Sequence, residues 1–230
     1  MPNDQHLVSL ITLLKSPKQR RQAYLVATIV LASKTPYHLL IVNTLMLDLQ
    51  SSVPSVAFGA LNLLVRTANT DSLPMLLPHV ATLLSSSTNT TIRRRAILAF
   101  GVPLLCQGYS YRKLLKRALA DPDPHITAAC VNTYSQISKL YAADCVPLTG
   151  AFLHIFEQVL AGNFGASFVY CGMQAPWLKL DIISILGCIG SEQTLLDAPR
   201  KQCIEMVSKA LSSIDPNQQE PLGFGTRGLN

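Results

Sequence analysis

The chain has 230 residues, of which 49% are hydrophobic and 14% are charged, and its formal net charge is +6. This apolar content is ample for a hydrophobic core, and we expect the chain to form one continuous unit that is not divided into separate globular domains. No apolar stretch reaches the roughly 18 uncharged residues of a membrane span, and the first residues lack the order of a signal peptide. We therefore expect a soluble, cytoplasmic protein.

The first half of the chain predicts three pairs of helices. Apolar residues recur with helical spacing, and each helical stretch ends at a polar or proline turn. The predicted pairs are Gln5–Ser16 with Lys18–Ser33, Tyr37–Gln50 with Pro54–Thr67, and Ser72–Ser86 with Thr91–Cys106. Gly101 and Pro103 predict that the sixth helix ends or kinks there.

A fourth pair occupies Leu114–Ile137 and is the clearest unit of the sequence. A first apolar stripe runs to Leu119, and the turn Asp121-Pro122-Asp123-Pro124 then stops that helix. An aspartate of this turn can cap the helix that follows, whose inner face carries small residues such as Cys130. Neither helix can bury its face alone, so the unit predicts neighbours of the same kind.

The remainder is predicted to contain three more helices and one long loop. The helices are Val146–Leu160, Ala175–Ile189 and Pro199–Ile214. The loop follows Ala161, contains three glycines and has no helical stripe; loops of this length in compact folds are often functional. We expect Trp177 to pack against it. The helical region should span residues 1–214, with a poorly ordered tail at 215–230.

The helical pairs repeat along the chain. Leu47 and Leu83 occupy equivalent places at the ends of first helices and lie 36 residues apart. This period is typical of stacked helical pairs. The sequence therefore predicts an all-α fold without a β-sheet, an α-solenoid of HEAT or armadillo-like helical repeats.

Charge is distributed unevenly along the chain. No acid occurs between Asp4 and Asp48, whereas ten acids face six bases from Asp121 onward. The cluster Lys18, Arg20 and Arg21 is the candidate contact for an anionic surface, either acidic lipid or an acidic protein face. The alternative is that arginines at the turns hold adjacent loops together or are simply solvated, which we favour for Arg93–Arg95.

The sequence carries no recognisable catalytic or cofactor-binding motif. No P-loop, GxGxxG, HExxH or GxSxG pattern occurs, and the histidines are scattered. The six cysteines lack a CxxC spacing and predict buried free thiols rather than disulfides or metal ligands. We expect no catalytic, cofactor-binding or metal-binding residues, no cofactor and no enzyme activity. The sequence contains no basic stripe interleaved with aromatic residues, so we expect no nucleic-acid binding.

Three segments, in order, resemble the amino-terminal trunk of the large adaptin subunits of clathrin-adaptor-type complexes. They are Tyr37–Ser51, Thr91–Phe100 followed by Arg117–Ala129, and Ala175–Gly190. The start Pro176-Trp177-Leu178 resembles the alpha, gamma, delta and epsilon class, and Val146–Gly162 is most similar to the epsilon subunit of the fourth adaptor complex. Family members usually have a basic, aromatic segment before the Pro-Trp pair, which this chain lacks.

The resemblance implies a non-enzymatic role in vesicle coat assembly, intracellular protein transport and cargo sorting. The partners that it implies are beta-type, medium and small adaptor subunits and Arf-type GTPases. It also implies peripheral association with trans-Golgi network or endosomal membranes. A generic HEAT-repeat scaffold or a nuclear-transport-type binding protein remains the alternative, and the proteins that co-purify would distinguish them.

Overall fold

The computed structural model describes residues 4–16, 19–31, 38–67, 71–104, 112–192 and 197–212. The α-helices are α1 (Asp4–Lys15), α2 (Arg20–Val30), α3 (His38–Leu49), α4 (Pro54–Thr67), α5 (Leu73–Ser86), α6 (Thr90–Leu104), α7 (Arg112–Leu119), α8 (Pro124–Ser138), α9 (Ala142–Cys145), α10 (Thr149–Leu160), α11 (Pro176–Gly190) and α12 (Asp197–Ser212). Strands β1 (Val169–Tyr170) and β2 (Met173–Gln174) form a hairpin, and 3-10 turns occupy Val146–Leu148 and Ala166–Phe168.

The helices form two rows, as expected for a solenoid. In the outer row, α1 packs on α3 and α3 on α5. In the inner row, α2, α4, α6 and α8 pack in succession, and α11 takes the next place beside α8. Within a pair, α1 contacts α2, α3 contacts α4, α5 contacts α6, and α7 contacts α8. The predicted all-α stack of helical repeats is confirmed.

One hydrophobic core runs through the described part of the chain, from Leu10 to Met206. The inner row brings small side chains to this core, and Ala57, Ala60 and Ala96 are almost completely buried there. Small residues let helices approach closely, while each fully buried Leu, Ile or Phe contributes about 1.5–3 kcal/mol. The core is thus continuous between neighbouring pairs.

Two glycines mark the closest approaches between inner helices. A Cβ on Gly59 of α4 would lie 2.9 Å from the Tyr24 ring on α2, and one on Gly101 of α6 would lie 3.1 Å from the Thr133 methyl on α8. Gly101 therefore serves packing rather than termination. The helix α6 continues through both Gly101 and Pro103 to Leu104, so neither residue ends it, and a kink there stays a prediction.

Three local details depart from the sequence prediction. The single-turn helix α9 was not predicted, and α10 begins at Thr149 instead of Val146 because residues 146–148 form a 3-10 turn. The expected absence of a β-sheet is wrong in one place, where β1 and β2 pair antiparallel within the predicted loop. The tail 215–230 lies outside the described residues.

Candidate functional site

The predicted anionic contact of Lys18, Arg20 and Arg21 divides into different roles. Lys18 lies outside the described residues. Arg20 is half-buried: its Nη1 donates to Asp48 Oδ1 at 2.8 Å, and its Nε donates to the Leu14 carbonyl at 3.0 Å. Arg21 is exposed. Arg20 therefore holds the first turn against the second pair, since its guanidinium is bound within the chain, and the surface contact itself stays a prediction.

Asp48 explains why Arg20 is held in this way. The Asp48 carboxylate is only 2% exposed, and it also accepts a hydrogen bond from the Tyr24 hydroxyl at 2.6 Å. A buried carboxylate needs such partners, because removing one of them leaves a buried group unsatisfied, at a cost of about 1–3 kcal/mol. Burial, followed by the nearby Asp48 carboxylate, raises the pKa of Tyr24 above its ordinary value, so Tyr24 stays a donor.

The same arrangement recurs farther along the stack. Arg93 Nη1 donates to Asp121 Oδ2 at 2.6 Å, and this pair, like Arg20 and Asp48, is 28 residues apart. In both cases the arginine lies in the first turn of a helix of the inner row, while Asp48 lies in the last turn of α3 and Asp121 lies two residues after the end of α7. The interpretation that Arg93 links adjacent turns is confirmed.

The turn before α8 extends this second link into a small network. Asp123 caps α8, accepting from the His125 backbone N–H at 2.9 Å, and accepts from the Thr90 hydroxyl at 2.8 Å. Burial alone would raise the pKa of Asp123, but these hydrogen bonds, together with His125 and Arg93, bring it below its ordinary value. The predicted aspartate cap is confirmed.

The loop between α10 and α11 is an aromatic cluster with a hairpin on top. Phe164 and Phe168 are buried with ring centroids 5.3 Å apart, and the His125 ring stacks on Phe168 at 4.8 Å. Trp177 lies 6.5 Å from Phe168 and 6.4 Å from Tyr170. The prediction that Trp177 packs against the loop is confirmed.

Positive backbone φ angles shape the hairpin. Its two central residues, Cys171 and Gly172, have φ of 49° and 76°, which is the sign required at both positions of a type I′ turn. Ala175, next to α11, has φ of 39° and is buried, and its N–H donates to the Phe168 carbonyl at 2.7 Å. This hydrogen bond fixes the hairpin against the start of α11.

The hairpin and α11 expose an apolar surface, here named the hairpin patch. Its members are large apolar side chains that are each about half exposed or more: Val169, Tyr170, Met173, Trp177 and Leu180. Tyr170 lies directly opposite Met173 in the hairpin register. No charged residue occurs in positions 161–178. Exposed large apolar side chains grouped in this way are typical of sites that bind another protein.

A second feature is a cavity of about 170 Å³ at the amino-terminal end of α7. Apolar walls come from Leu115, Tyr134, Ile137, Cys145 and Leu148. Burial raises the pKa of Cys145 to about 12 and that of Tyr134 well above its ordinary value, so both remain uncharged at neutral pH. The cavity therefore presents an uncharged interior.

The rim of this cavity is basic. Arg112, Lys113 and Lys116 line it, and α7 contains no acid. Arg112 pairs with Asp144 at 2.6 Å, whereas Lys113 and Lys116 are exposed. The sequence shows the basic residues of α7 but not the cavity, because the cavity also needs α8, α9 and the following 3-10 turn.

The cysteines fit the predicted buried thiols only in part. Cys130, Cys145 and Cys203 are buried and free, but Cys171 is exposed at the hairpin tip. Burial raises the pKa of Cys130, which donates to the Leu115 carbonyl at 3.2 Å. Cys106 lies outside the described residues. A buried, protonated thiol is a poor nucleophile and a poor metal ligand.

Within the described ranges, His, Cys, Asp and Glu side chains form no group of three or more that could hold a metal ion. The helices in those ranges are also too short or too polar to cross a membrane. Two features of the described residues could recognise a partner: the hairpin patch and the cavity with its basic rim.

Comparison with known proteins gives one family. Residues 5–220 match the family described as Adaptin N terminal region. The chain is 30% identical to the human AP-4 complex subunit epsilon-1 over 177 residues, which are 76% of this chain and 16% of that protein. It is 28% identical to the AP-4 complex subunit epsilon of Arabidopsis thaliana over 175 residues, 75% of this chain and 19% of that protein. The chain thus spans less than a fifth of these relatives.

Proposed function

Because the chain belongs to the adaptin N-terminal family, we propose that it is a non-enzymatic trunk segment of an epsilon-type adaptor large subunit. The observation that carries this proposal is the family match over residues 5–220 together with relatives named as AP-4 complex subunits. The stack of helical pairs supports it, since solenoids offer extended surfaces for assembly. Its role is in vesicle coat assembly, intracellular protein transport and cargo sorting.

The partners we propose are the other adaptor subunits, of beta, medium and small type, and an Arf-type GTPase. The chain would act peripherally on trans-Golgi network or endosomal membranes. The hairpin patch is the proposed contact with another subunit, because apolar side chains are exposed there next to the buried ring of Phe168. Aromatic side chains and methionine are enriched in protein interfaces.

Co-purification from cells tests this assignment. An affinity-tagged copy of the chain is expressed, and the bound proteins are identified by mass spectrometry. We expect beta-type, medium or small adaptor subunits. Recovery of Ran and transport cargo, with no adaptor subunit, would instead support a nuclear-transport-type scaffold and would contradict the proposal.

A matched pair of variants tests the hairpin patch in the same assay. Tyr170→Ser with Met173→Ser removes two apolar side chains that face each other across the hairpin. Val53→Ser with Leu140→Ser removes two exposed apolar side chains elsewhere. Subunit recovery should fall about ten-fold for the first variant, as for loss of an interface anchor, and stay unchanged for the second. Equal recovery by both variants would exclude the patch as the contact.

A further inference from the structure

The cavity beside α7 combines two properties that select a ligand. Its interior is uncharged, and two exposed ammonium groups, Lys113 and Lys116, line its rim. Asp144, the acid on the rim, is already paired with Arg112 at 2.6 Å. Among the described residues, neither lysine has an ion-pair partner. Both ammonium charges are therefore available to carboxylates from outside the chain.

The size of the cavity restricts what enters it. Its volume of about 170 Å³ is similar to that of an engineered apolar protein cavity, about 150 Å³, that binds benzene. A phenyl ring fits this space, and Tyr134 in the wall offers it an aromatic neighbour. A nucleobase would bury polar edge atoms against apolar walls and lose their hydrogen bonds to water.

The positive charge on the rim of the cavity favours a ligand with acidic residues next to its aromatic ring. Lys113 and Lys116 are three residues apart on a helix, so they lie on the same side, about one turn from each other. Opposite charges across an interface fix register and accelerate encounter. A ligand whose aromatic ring enters the cavity would place its neighbouring carboxylates against these two lysines.

We propose that this cavity binds a phenylalanine side chain from an acidic segment of a partner protein. The ring fills the space between Leu115, Tyr134 and Leu148, and flanking glutamate or aspartate residues pair with Lys113 and Lys116. Apolar contact supplies affinity, and the lysines select acidic over basic segments.

Fluorescence anisotropy with the full chain tests the proposal. The probe is a fluorescein-labelled peptide with one phenylalanine between runs of glutamate, and its control has serine in place of the phenylalanine. We expect the phenylalanine peptide to bind at least about ten-fold more tightly, a factor typical of one well-buried anchor. Equal affinity for the two peptides would overturn the proposal, because charge attraction alone would then explain binding.

Variants of the chain locate the binding site. Lys113→Glu with Lys116→Glu should weaken binding of the phenylalanine peptide by about ten-fold or more. The matched control, Arg66→Glu with Lys201→Glu, reverses two exposed charges elsewhere and should keep most of the affinity. Leu148→Trp should fill the cavity and block entry of the ring. If this variant does not fold, the charge reversals at the exposed Lys113 and Lys116 still test the site. Equal losses in both charge-reversal variants would refute a local site.

An acidic membrane is the competing ligand. Phosphatidylcholine vesicles with and without phosphatidylserine are sedimented with the wild type and with the Lys113→Glu, Lys116→Glu variant. Under the proposal this variant loses no more vesicle binding than the Arg66→Glu, Lys201→Glu control, which carries the same change in net charge. Binding to phosphatidylserine that the variant loses, without binding of the phenylalanine peptide, would overturn the proposal in favour of lipid.

Discussion

Tyr24 is fixed from two directions, which makes its surroundings intolerant of added volume. Its hydroxyl donates to Asp48, and its ring lies beneath Gly59 of the neighbouring inner helix. A side chain held by a buried hydrogen bond cannot turn aside without breaking that bond. The two inner helices α2 and α4 therefore meet at a distance set by a glycine.

Replacing Gly59 by alanine should destabilise the protein. The new Cβ would lie 2.9 Å from the Tyr24 ring, and relieving such an overlap costs about 1–3 kcal/mol, more than the roughly 1 kcal/mol that alanine gains in a helix. Gly187→Ala is the control, since nothing lies within 4 Å of its Cβ position. We expect a lower melting temperature for the first variant and an equal or higher one for the second. A stabilised Gly59→Ala would contradict the close approach.

Changing Arg20 to glutamine should lower the free energy of unfolding much more than changing its neighbour Arg21 to glutamine. Arg20→Gln leaves the buried Asp48 without its guanidinium partner, at a cost of about 1–3 kcal/mol. Arg21 is exposed, and Arg21→Gln should change the free energy of unfolding by less than about 0.5 kcal/mol. Urea denaturation followed by circular dichroism measures both. Similar values for the two variants would count against a structural role for Arg20.

At the scale of single elements, the start of α8 depends on an ionised carboxylate. Asp123 has a lowered pKa in the folded state, so the folded protein binds its proton less readily than the unfolded chain does. The stabilisation by this group is complete above the unfolded pKa of about 3.9 and is lost as pH falls through the lower, folded pKa.

Asp123→Asn tests this dependence on pH. Asparagine is also a good helix cap but carries no charge, so the variant should be less stable at neutral pH and should lose less stability on acidification below about pH 4. Melting temperatures recorded over this range, with Glu157→Gln as an exposed control, give the comparison. Parallel curves for Asp123→Asn and the wild type would show that the charge is unimportant.

Elements with their own signals in the sequence could be predicted, and those without could not. The helix α4 occurs at its predicted bounds because Pro54 opens it and its apolar stripe is uninterrupted. The four-residue α9 is too short to produce a periodic stripe. The hairpin was missed because its strands have two residues each and its turn carries Cys171 where asparagine is the usual signal.

The candidate sites were harder to predict than the helices. Arg20 and Asp48 are 28 residues apart, and the sequence shows the charge of Arg20 but not its partner. The local sequence around an arginine at a turn is the same whether the side chain faces solvent or a buried carboxylate. The hairpin patch and the cavity each combine side chains from separate elements, so their existence depends on packing that no local pattern encodes.

At the scale of the whole molecule, charge is distributed unevenly, with an excess of basic residues before Asp121 and an excess of acidic residues from Asp121 onward. The contact of Lys18 and Arg21 with an anionic surface stays a prediction. Each such charge contributes about 1 kcal/mol at an acidic membrane. The attraction should weaken steeply with salt, because the Debye length falls from about 10 Å at 0.1 M to about 3 Å at 1 M.

Liposome sedimentation measures this attraction directly. Lys18→Glu with Arg21→Glu should reduce binding to vesicles containing acidic lipid, whereas Lys139→Glu with Lys201→Glu, in the acidic part of the chain, should reduce it less. Arg20 is left unchanged so that the fold is preserved. Binding that is the same for both variants, or that ignores salt, would leave solvation as the role of this turn.

The succession of inner helices also determines how the molecule opens. Each inner helix contacts the one before and the one after it, and the arginine–aspartate pairs bind a given repeat to the next. Fraying can therefore begin at either end without disturbing the middle. Amide hydrogens in α6, which has inner neighbours on both sides, should exchange with solvent more slowly than those in α2, where the inner row begins.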